Sequence, residues 1–237
     1  MRLDKFLTET GAGTRSEVKK WIKSGAVTVN GESAKRPELK IDENRDVICC
    51  CGQTLAYQAY EYYLFHKPAG CVTATEDGRH RTVMDYLTET ARKDLFPVGR
   101  LDIDTEGLLL ITNDGVLAHR LLSPTRHVPK TYYARIAGRV TEEDGALFAQ
   151  GLEIGDDKPA KPAELVIIRA GEESEVTLTI TEGRYHQVKR MFEAVGKKVL
   201  YLKRLSMGSL VLPDDLHPGE YRALTAEELH DLKQCSV

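Results

Sequence analysis

The chain has 237 residues, enough for one large domain or for a small module followed by a domain of medium size. Hydrophobic residues make up 41% of it, which is typical of a globular protein with a packed core, and no apolar run approaches the roughly 18 residues of a membrane span. The N-terminal MRLDKFLTET carries charges where a signal peptide is apolar, so we expect a cytoplasmic protein without membrane association.

Charge is distributed unevenly along the chain, although the formal net charge is only −3. Residues 1–40 carry nine Lys or Arg against five acidic residues, and residues 183–204 carry seven against one. Two separated basic segments on a mildly acidic chain indicate local surfaces that contact a polyanion. The five cysteines, three of them consecutive at 49–51, form no CxxC pair, which argues against a disulfide framework and against a metal site.

The first segment predicts two short helices and a hairpin. Leu3, Phe6 and Leu7 have helical spacing, TRSE at 14–17 is a capping box, and Asn30-Gly31 is typical of a two-residue hairpin turn. Taken alone, the charges would also fit an ordinary solvated helix face. The order of RLDKFL and TRSEVKKWIKSGAVTVNG, however, resembles the S4 RNA-binding domain over residues 1 to about 50. The resemblance implies that basic side chains hold RNA phosphates, and we expect these to be Arg2, Lys5, Arg15, Lys19, Lys20 and Lys23.

We therefore expect an S4-like domain at residues 1–55, a linker at 56–61 and a second domain at 62–237. In the second domain, short apolar strands such as YYLFHKP, TYYARIAGRV, ELVIIRA and EVTLTIT alternate with helices that start at Thr82, Asp114, Thr141 and Thr225. There is neither a strict βαβ order nor a Gly-rich phosphate loop. The pattern predicts an α+β fold with a mixed, mainly antiparallel sheet and flanking helices.

The stretch GRLDIDTEGLLLITNDG at 99–115 concentrates four carboxylates. Asp114 precedes a predicted helix and is expected to cap it, while Leu108 to Ile111 has the pattern of a buried strand. In an extended segment Asp102 and Asp104 would share one face about 7 Å apart, which suits a glycosidase carboxylate pair as well as a single nucleophile. Spacing alone does not choose between these two residues.

Four segments in order make the second domain similar to the pseudouridine synthases of the RsuA and RluA type: FHKPAGCV (65–72), GRLDIDTEGLLLITNDG (99–115), KTYYA (130–134) and LTITEGRYHQVKRMF (178–192). In that family the Asp after Arg-Leu is the catalytic nucleophile, which implies this role for Asp102. The resemblance also implies that Tyr132 stacks on the target base and that Lys189 pairs with the nucleophile. The remaining residues expected to bind substrate are Arg100, Ile180, Arg184, His186 and Arg190.

The implied reaction is the isomerisation of a specific uridine to pseudouridine. GRYHQVKRMF is most similar to the RsuA branch, which implies that the partner is small-subunit (16S) ribosomal RNA or its assembly intermediate. We expect the protein to act as a monomer. Moving the C1′ bond from N1 to C5 involves no net redox change, so we expect no cofactor and no metal. Three alternatives stay open: the same reaction on large-subunit (23S) ribosomal RNA, a non-catalytic S4-type RNA-binding protein, and an RNA glycosidase that uses Asp102 and Asp104.

Overall fold

The computed structural model describes residues 1–43, 45–55, 57, 59–90 and 92–235. Contacts divide the chain into a first unit, Met1–Glu61 with Thr88–Leu95, and a second unit, Tyr62–Leu87 with Phe96–Val237. Within the described ranges, no helix combines the length and the apolar character needed to cross a membrane. Residues 56 and 58 of the expected linker lie outside the described residues.

The first unit contains the two predicted helices and the predicted hairpin within a small antiparallel sheet. Helix α2 begins at the Thr14 capping box, and the hairpin turn has positive φ at both Asn30 (53°) and Gly31 (85°). Val18 and Ile22 of α2 are fully buried, and Trp21 is half-buried at the edge of the same core. The elements are α1 (Leu3–Glu9), α2 (Arg15–Ser24), β1 (Val27–Val29), β2 (Glu32–Ser33), β3 (Ile48–Cys50) and β4 (Gln53–Leu55), with strand order β2-β1-β3-β4.

The second unit is built on a nine-stranded sheet with helices packed against it. Its strands are β5 (Tyr62–Lys67), β6 (Phe96–Pro97), β7 (Glu106–Thr112), β8 (Lys130–Ala137), β9 (Glu164–Arg169), β10 (Glu173–Ile180), β11 (Lys198–Met207), β12 (Leu210–Val211) and β13 (Tyr221–Ala223). Its helices are a 3-10 helix (Val83–Tyr86), α3 (Gly115–Leu122), α4 (Glu142–Gln150), α5 (Gln187–Ala194) and α6 (Ala226–Gln234). The helices predicted at Thr82, Asp114, Thr141 and Thr225 therefore all form, the first of them as a 3-10 turn.

The large sheet runs in the order β13-β5-β7-β11-β8-β10-β9, with β6 beside β7 and β12 beside β11. The β7–β11 pair is parallel, and the other strand pairs of the described chain are antiparallel. Gly107 stands at the parallel pair with φ of 108°, where an added Cβ would lie 2.2 Å from the Arg204 carbonyl oxygen. Only glycine fits this approach without moving the backbone. The predicted α+β class with a mixed, mainly antiparallel sheet is confirmed.

Two hydrophobic cores support the sheet on either side of the β7–β11 pair. One packs Phe148 of α4 and Phe192 of α5 against β8 and β10, with ring centroids 4.9 Å apart. The other packs Leu117 and Leu121 of α3 and Leu232 of α6 against β5 and β7. Residues supported by either core can therefore reach one site at the β7–β11 pair.

Two details differ from the sequence expectation. Residues 88–95 group with the first unit, although we expected the second domain to run without interruption from residue 62. Strand β7 begins at Glu106, two residues before the expected Leu108, and Glu106 accepts a 2.6 Å hydrogen bond from the Tyr201 hydroxyl of β11. In both cases the deciding contact comes from a segment distant in sequence.

Candidate active site

Asp102 lies on a tight loop between β6 and β7. The Thr105 amide donates to the Asp102 carbonyl over 3.1 Å, so residues 102–105 form a turn and not the extended segment assumed for the 7 Å spacing. The Thr73 hydroxyl donates to the Leu101 carbonyl at 2.8 Å and accepts from its amide at 3.1 Å. These bonds hold the backbone on either side of the Asp102 side chain.

A buried lysine lies beneath the same loop. Lys67, at the end of β5, has no exposed surface, and its ammonium donates to the carbonyls of Thr105 at 2.9 Å and Pro68 at 3.0 Å. Burial lowers the pKa of Lys67, with nearby negative groups opposing the shift. The Gly70 amide adds a 2.7 Å bond to the Ile103 carbonyl. The FHKPAGCV segment thus fixes the turn that carries Asp102, although Lys67 was not among the predicted site residues.

Lys189 of α5 contacts both carboxylates of the turn. Its ammonium is 3.2 Å from Oδ2 of Asp102, and 2.7 and 2.9 Å from the two oxygens of Asp104. Burial acts against the charged lysine, but the hydrogen bonds to Asp104 and Asp102 outweigh it and raise the pKa of Lys189. The bond from Lys189 likewise lowers the pKa of Asp104. Lys189 therefore lies beside Asp102, as predicted, but it also pairs with Asp104, so the two carboxylates share its charge.

His186 and Tyr185 precede α5 on the other side of Asp102. The His186 Nε2 lies 3.6 Å from Oδ1 of Asp102, and the His186 backbone has a left-handed φ of 49°. The two rings stack with centroids 3.8 Å apart and an interplanar angle of 18°. Tyr185 is 75% exposed, so this pair presents a flat aromatic surface beside the carboxylate.

These residues surround a cavity of about 840 Å³ within the second unit. Tyr132 of β8 and Ile180 of β10 are almost completely buried and supply a ring and an apolar wall. Arg100 is exposed and lines the cavity beside Asp102. The structure thus brings seven of the predicted residues to one cavity, namely Arg100, Asp102, Tyr132, Ile180, Arg184, His186 and Lys189.

Two predicted arginines are held mainly by the protein itself. Arg190, which does not line the cavity, pairs with Asp156 at 2.7 and 3.1 Å and donates to the Tyr185 and Ile154 carbonyls. Arg184 lines the cavity, but its guanidinium donates to the Lys158 and Pro159 carbonyls at 2.6 and 2.8 Å. These bonds tie the segment before α5 to the 154–159 loop. Arg190 therefore stabilises this part of the structure and does not reach the cavity where we expected it to contact substrate.

The cavity also contains buried polar groups that the sequence analysis missed. Lys130 and Arg204 are 7% and 2% exposed and line the cavity from neighbouring strands β8 and β11. The buried Thr105 hydroxyl joins them. Lys130 belongs to the KTYYA segment, but its position in a strand does not distinguish it from a surface lysine. Only the pairing of β8 with β11 brings it to the same cavity as Arg204, which lies 74 residues further along the chain.

The first unit has its own cavity, of about 720 Å³, lined largely by basic side chains. Four of the six predicted RNA-binding residues line it, namely Arg2, Lys5, Arg15 and Lys19, whereas Lys20 and Lys23 do not. Arg92 and Lys93 from the 88–95 segment complete the lining, together with Thr8, Asp4, Glu9 and Asp94. We call this the basic cleft. Among the described residues, Arg15, Lys19 and Lys93 form no ion pair, which leaves their charges available.

Comparisons with known proteins agree along the whole chain. Residues 61–194 match the family described as RNA pseudouridylate synthase, and residues 1–47 match the S4 domain. The chain is 48% identical over 236 residues to "Uncharacterized RNA pseudouridine synthase YtzG" of Bacillus subtilis (strain 168), covering 99% of both chains. It is 42% identical over 231 residues to "Ribosomal small subunit pseudouridine synthase A" of Escherichia coli (strain K12), covering 97% of this chain and 98% of the relative. A solved structure described as "Crystal structure of pseudouridylate synthase" matches with a TM-score of 0.69 and 41% identity over 98% of this chain and 99% of that one.

Proposed function

The chain belongs to the RNA pseudouridylate synthase family, and from this premise we propose that it converts one uridine of small-subunit ribosomal RNA into pseudouridine with Asp102 as the nucleophile. The observation that carries the proposal is the Asp102 carboxylate on a rigid turn, 3.2 Å from the Lys189 ammonium, in a cavity that also holds the Tyr132 ring. A cavity of about 840 Å³ has room for one nucleotide that has left its stack.

Each predicted catalytic residue has a role that its position supports. Asp102 attacks the uridine, Lys189 balances the carboxylate charge, and Tyr132 stacks on the base while Ile180 packs against its other side. Lys189 is a point charge that reaches two carboxylates at once, where an arginine fork would favour one bidentate pair. His186 and Tyr185 offer a surface for a neighbouring base at the rim of the cavity.

The choice of RNA depends on the relatives, several of which are named as small-subunit enzymes. We propose ribosomal RNA, or its assembly intermediate, as the partner, bound by a monomer in the cytoplasm. Large-subunit ribosomal RNA is the alternative within the same family. Mapping pseudouridine in both ribosomal RNAs, from cells with and without this protein, separates the two because the missing modification identifies the substrate.

The basic cleft supports a role for the first unit in holding that RNA. Its unpaired cations Arg15, Lys19 and Lys93 suit phosphates, which supply affinity more than sequence choice. Lys20 and Lys23 lie outside the cleft, and we retain them as contacts because Lys23 lies one helical turn beyond Lys19 and Lys20 lies on the adjoining face of α2.

The central test is Asp102→Asn, which keeps the shape of the side chain and removes its charge. We expect pseudouridine formation to fall by at least about 10³-fold while RNA binding survives, since the nucleophile is lost but the binding surfaces remain. The measurement is pseudouridine formed in single-turnover reactions on a ribosomal RNA fragment, beside the affinity for the same fragment.

Asp104→Asn is the matched variant for this test. We expect it to retain pseudouridine formation, because Lys189 can still pair with Asp102. An RNA glycosidase would need both carboxylates and would release free uracil. Full activity in Asp102→Asn, or uracil release that depends on both residues, would contradict the proposed reaction. A non-catalytic binding protein would form no pseudouridine with any variant.

A further inference from the structure

Two cations in the wall of the cavity have no acidic partner. The Lys130 ammonium donates to the Val128 carbonyl at 3.0 Å, and the Arg204 Nε donates to the Leu108 carbonyl at 2.7 Å. The Arg204 Nη2 and the Thr105 hydroxyl oxygen are both buried, and neither has a hydrogen-bond partner among the residues that the structure describes. Neither cation forms an ion pair within the described part of the chain. Buried charges are normally paired, so this arrangement needs a compensating group from outside the protein.

The side chains beside these two cations are of the kinds that suit a pyrimidine base. Lys130 and Tyr132 alternate along β8 and share a face of the sheet, Ile180 is the cross-strand partner of Lys130, and Arg204 is the cross-strand partner of Tyr132. An aromatic ring and an apolar side chain thus flank two oxygen-seeking cations. A base that enters the cavity leads with its ring edge, while its phosphate stays on the backbone outside.

We propose that Lys130 and Arg204 bind the ring oxygens of the target uracil and stabilise the negative charge that collects there during the reaction. This rests on the proposed function. When the N1–C1′ bond breaks, its electron pair remains on the ring and is delocalised towards O2. If the carboxylate adds to C6 first, electrons move towards O4 instead. On either route C5 then bonds to C1′, the bond to the Asp102 carboxylate breaks, C5 loses a proton and N1 gains one, so no atom is lost, the carboxylate is regenerated and both cations keep their protons.

The contribution is expected to be large because both donors are almost completely buried and are held in place by hydrogen bonds to backbone carbonyls. The two like charges also disfavour each other. Burial, together with the nearby charge of Arg204, lowers the pKa of Lys130 to about 8. The other charged or titratable groups that line the cavity are Tyr132 from β8, Arg100, Asp102 and Asp104 from the loop, and Arg184, Tyr185, His186 and Lys189 from the segment that leads into α5.

The test compares Lys130→Met, which keeps the length of the stem without charge, with Lys130→Arg, which keeps the charge. On an RNA fragment that the wild-type protein modifies, we expect Lys130→Met to lower the single-turnover rate by at least about 10²-fold and to change RNA affinity less than about threefold. Lys130→Arg should stay within about tenfold of the wild-type rate. A Lys130→Met rate within threefold of wild type overturns the inference.

A pH profile keeps the inference testable even if Lys130→Met does not fold. The wild-type rate should fall above about pH 8 as Lys130 loses its proton, and this limb should move to higher pH in Lys130→Arg because arginine stays charged. Deprotonation of the uracil itself affects both proteins equally, so the difference isolates residue 130. The same limb in both proteins overturns the inference. A wild-type protein that forms no pseudouridine contradicts the proposed function instead.

Discussion

Two carboxylates compete for the ammonium of Lys189, and their geometries differ. Asp104 is 66% exposed and accepts two short bonds, whereas Asp102 is 27% exposed and lies at 3.2 Å. A more exposed pair is weakened by solvent, so the shorter distances do not make Asp104 the stronger partner. The arrangement keeps Lys189 charged and close to Asp102 while leaving one Asp102 oxygen near His186. Sequence spacing treats the two carboxylates alike, and only the folded turn separates them.

Gly107 is the residue whose replacement should most disturb the site without touching substrate. We expect Gly107→Ala to lower the free energy of unfolding by about 3 kcal/mol or more, since the new methyl would meet the Arg204 backbone and φ is 108°. For a unit of this size the loss corresponds to a fall in Tm of roughly 6–12 °C. Thermal melts followed by circular dichroism measure it.

The matched control is Gly78→Ala. An added Cβ at Gly78 meets nothing within 4 Å, so its stability should stay within about 0.5 kcal/mol of wild type. Equal Tm values for the two variants would show that β7 can move away from β11 at no cost, contrary to the rigid junction inferred here.

At the scale of elements, the helix starts were predictable because they depend on residues within one turn. The capping boxes at Thr14, Thr141 and Thr225 form, and at Thr82 the Asp85 carboxylate accepts a 2.7 Å hydrogen bond from the Thr82 amide. Strands β4 and β6 were not predicted, because two or three residues become strand only when a partner strand is present. Tertiary pairing, which no local pattern encodes, decided both.

Helix α6 gives a prediction about acid stability. Glu228 accepts two short bonds from the Arg222 guanidinium, 2.6 and 2.8 Å, and closes the capping box with Thr225. The Arg222 bond holds the pKa of Glu228 at about 2, below its usual 4.5. A lowered folded-state pKa gives stability that is present above about pH 4.5 and is lost as pH falls towards 2.

We therefore expect Glu228→Gln to destabilise the protein by about 0.5–1 kcal/mol at neutral pH, with a smaller difference from wild type as pH falls from about 5 to 3. Urea unfolding at several pH values measures this dependence. Glu227→Gln is the control, because Glu227 is an exposed residue of the same first turn without an ion pair in the described chain. A Glu228→Gln difference that grows on acidification would contradict the assignment.

At the scale of the whole molecule, the recognised family and the S4 domain were both predicted from sequence motifs, and both are confirmed by the comparisons. The set of residues that line the basic cleft was only partly predictable from the sequence. Arg2, Lys5, Arg15 and Lys19 lie in one short segment, but Arg92 and Lys93 reach the cleft from a segment that we had assigned to the second domain. Lys130 and Arg204 were missed for the same reason, since distant strands bring them together.

The cleft predicts a change in salt dependence. We expect Lys93→Gln to weaken RNA binding and to reduce the slope of log affinity against log salt concentration by about one, as the loss of one phosphate contact does. Titrations of one RNA fragment at several salt concentrations measure the slope. The single-turnover rate at saturating RNA should not change, because the cleft does not hold the reacting base.

Lys158→Gln removes the same charge from a loop that lines neither cavity, and its salt slope should match wild type. If Lys158→Gln and Lys93→Gln reduce the slope equally, the effect is one of net charge, and the cleft is not a specific phosphate site.

Because residues 88–95 belong to the first unit, this unit cannot be exchanged between relatives as one continuous segment. Arg92 is 7% exposed there, with its guanidinium bonded to Asp94 at 2.6 and 2.8 Å and 3.6 Å from a Glu9 oxygen. A chimaera that exchanged only residues 1–61 would leave this insertion facing a foreign surface, with a buried arginine that kept Asp94 but had lost Glu9. Exchange of the first unit between relatives therefore requires two coordinated replacements with three junctions in the gene, because residues 88–95 must be exchanged together with residues 1–61.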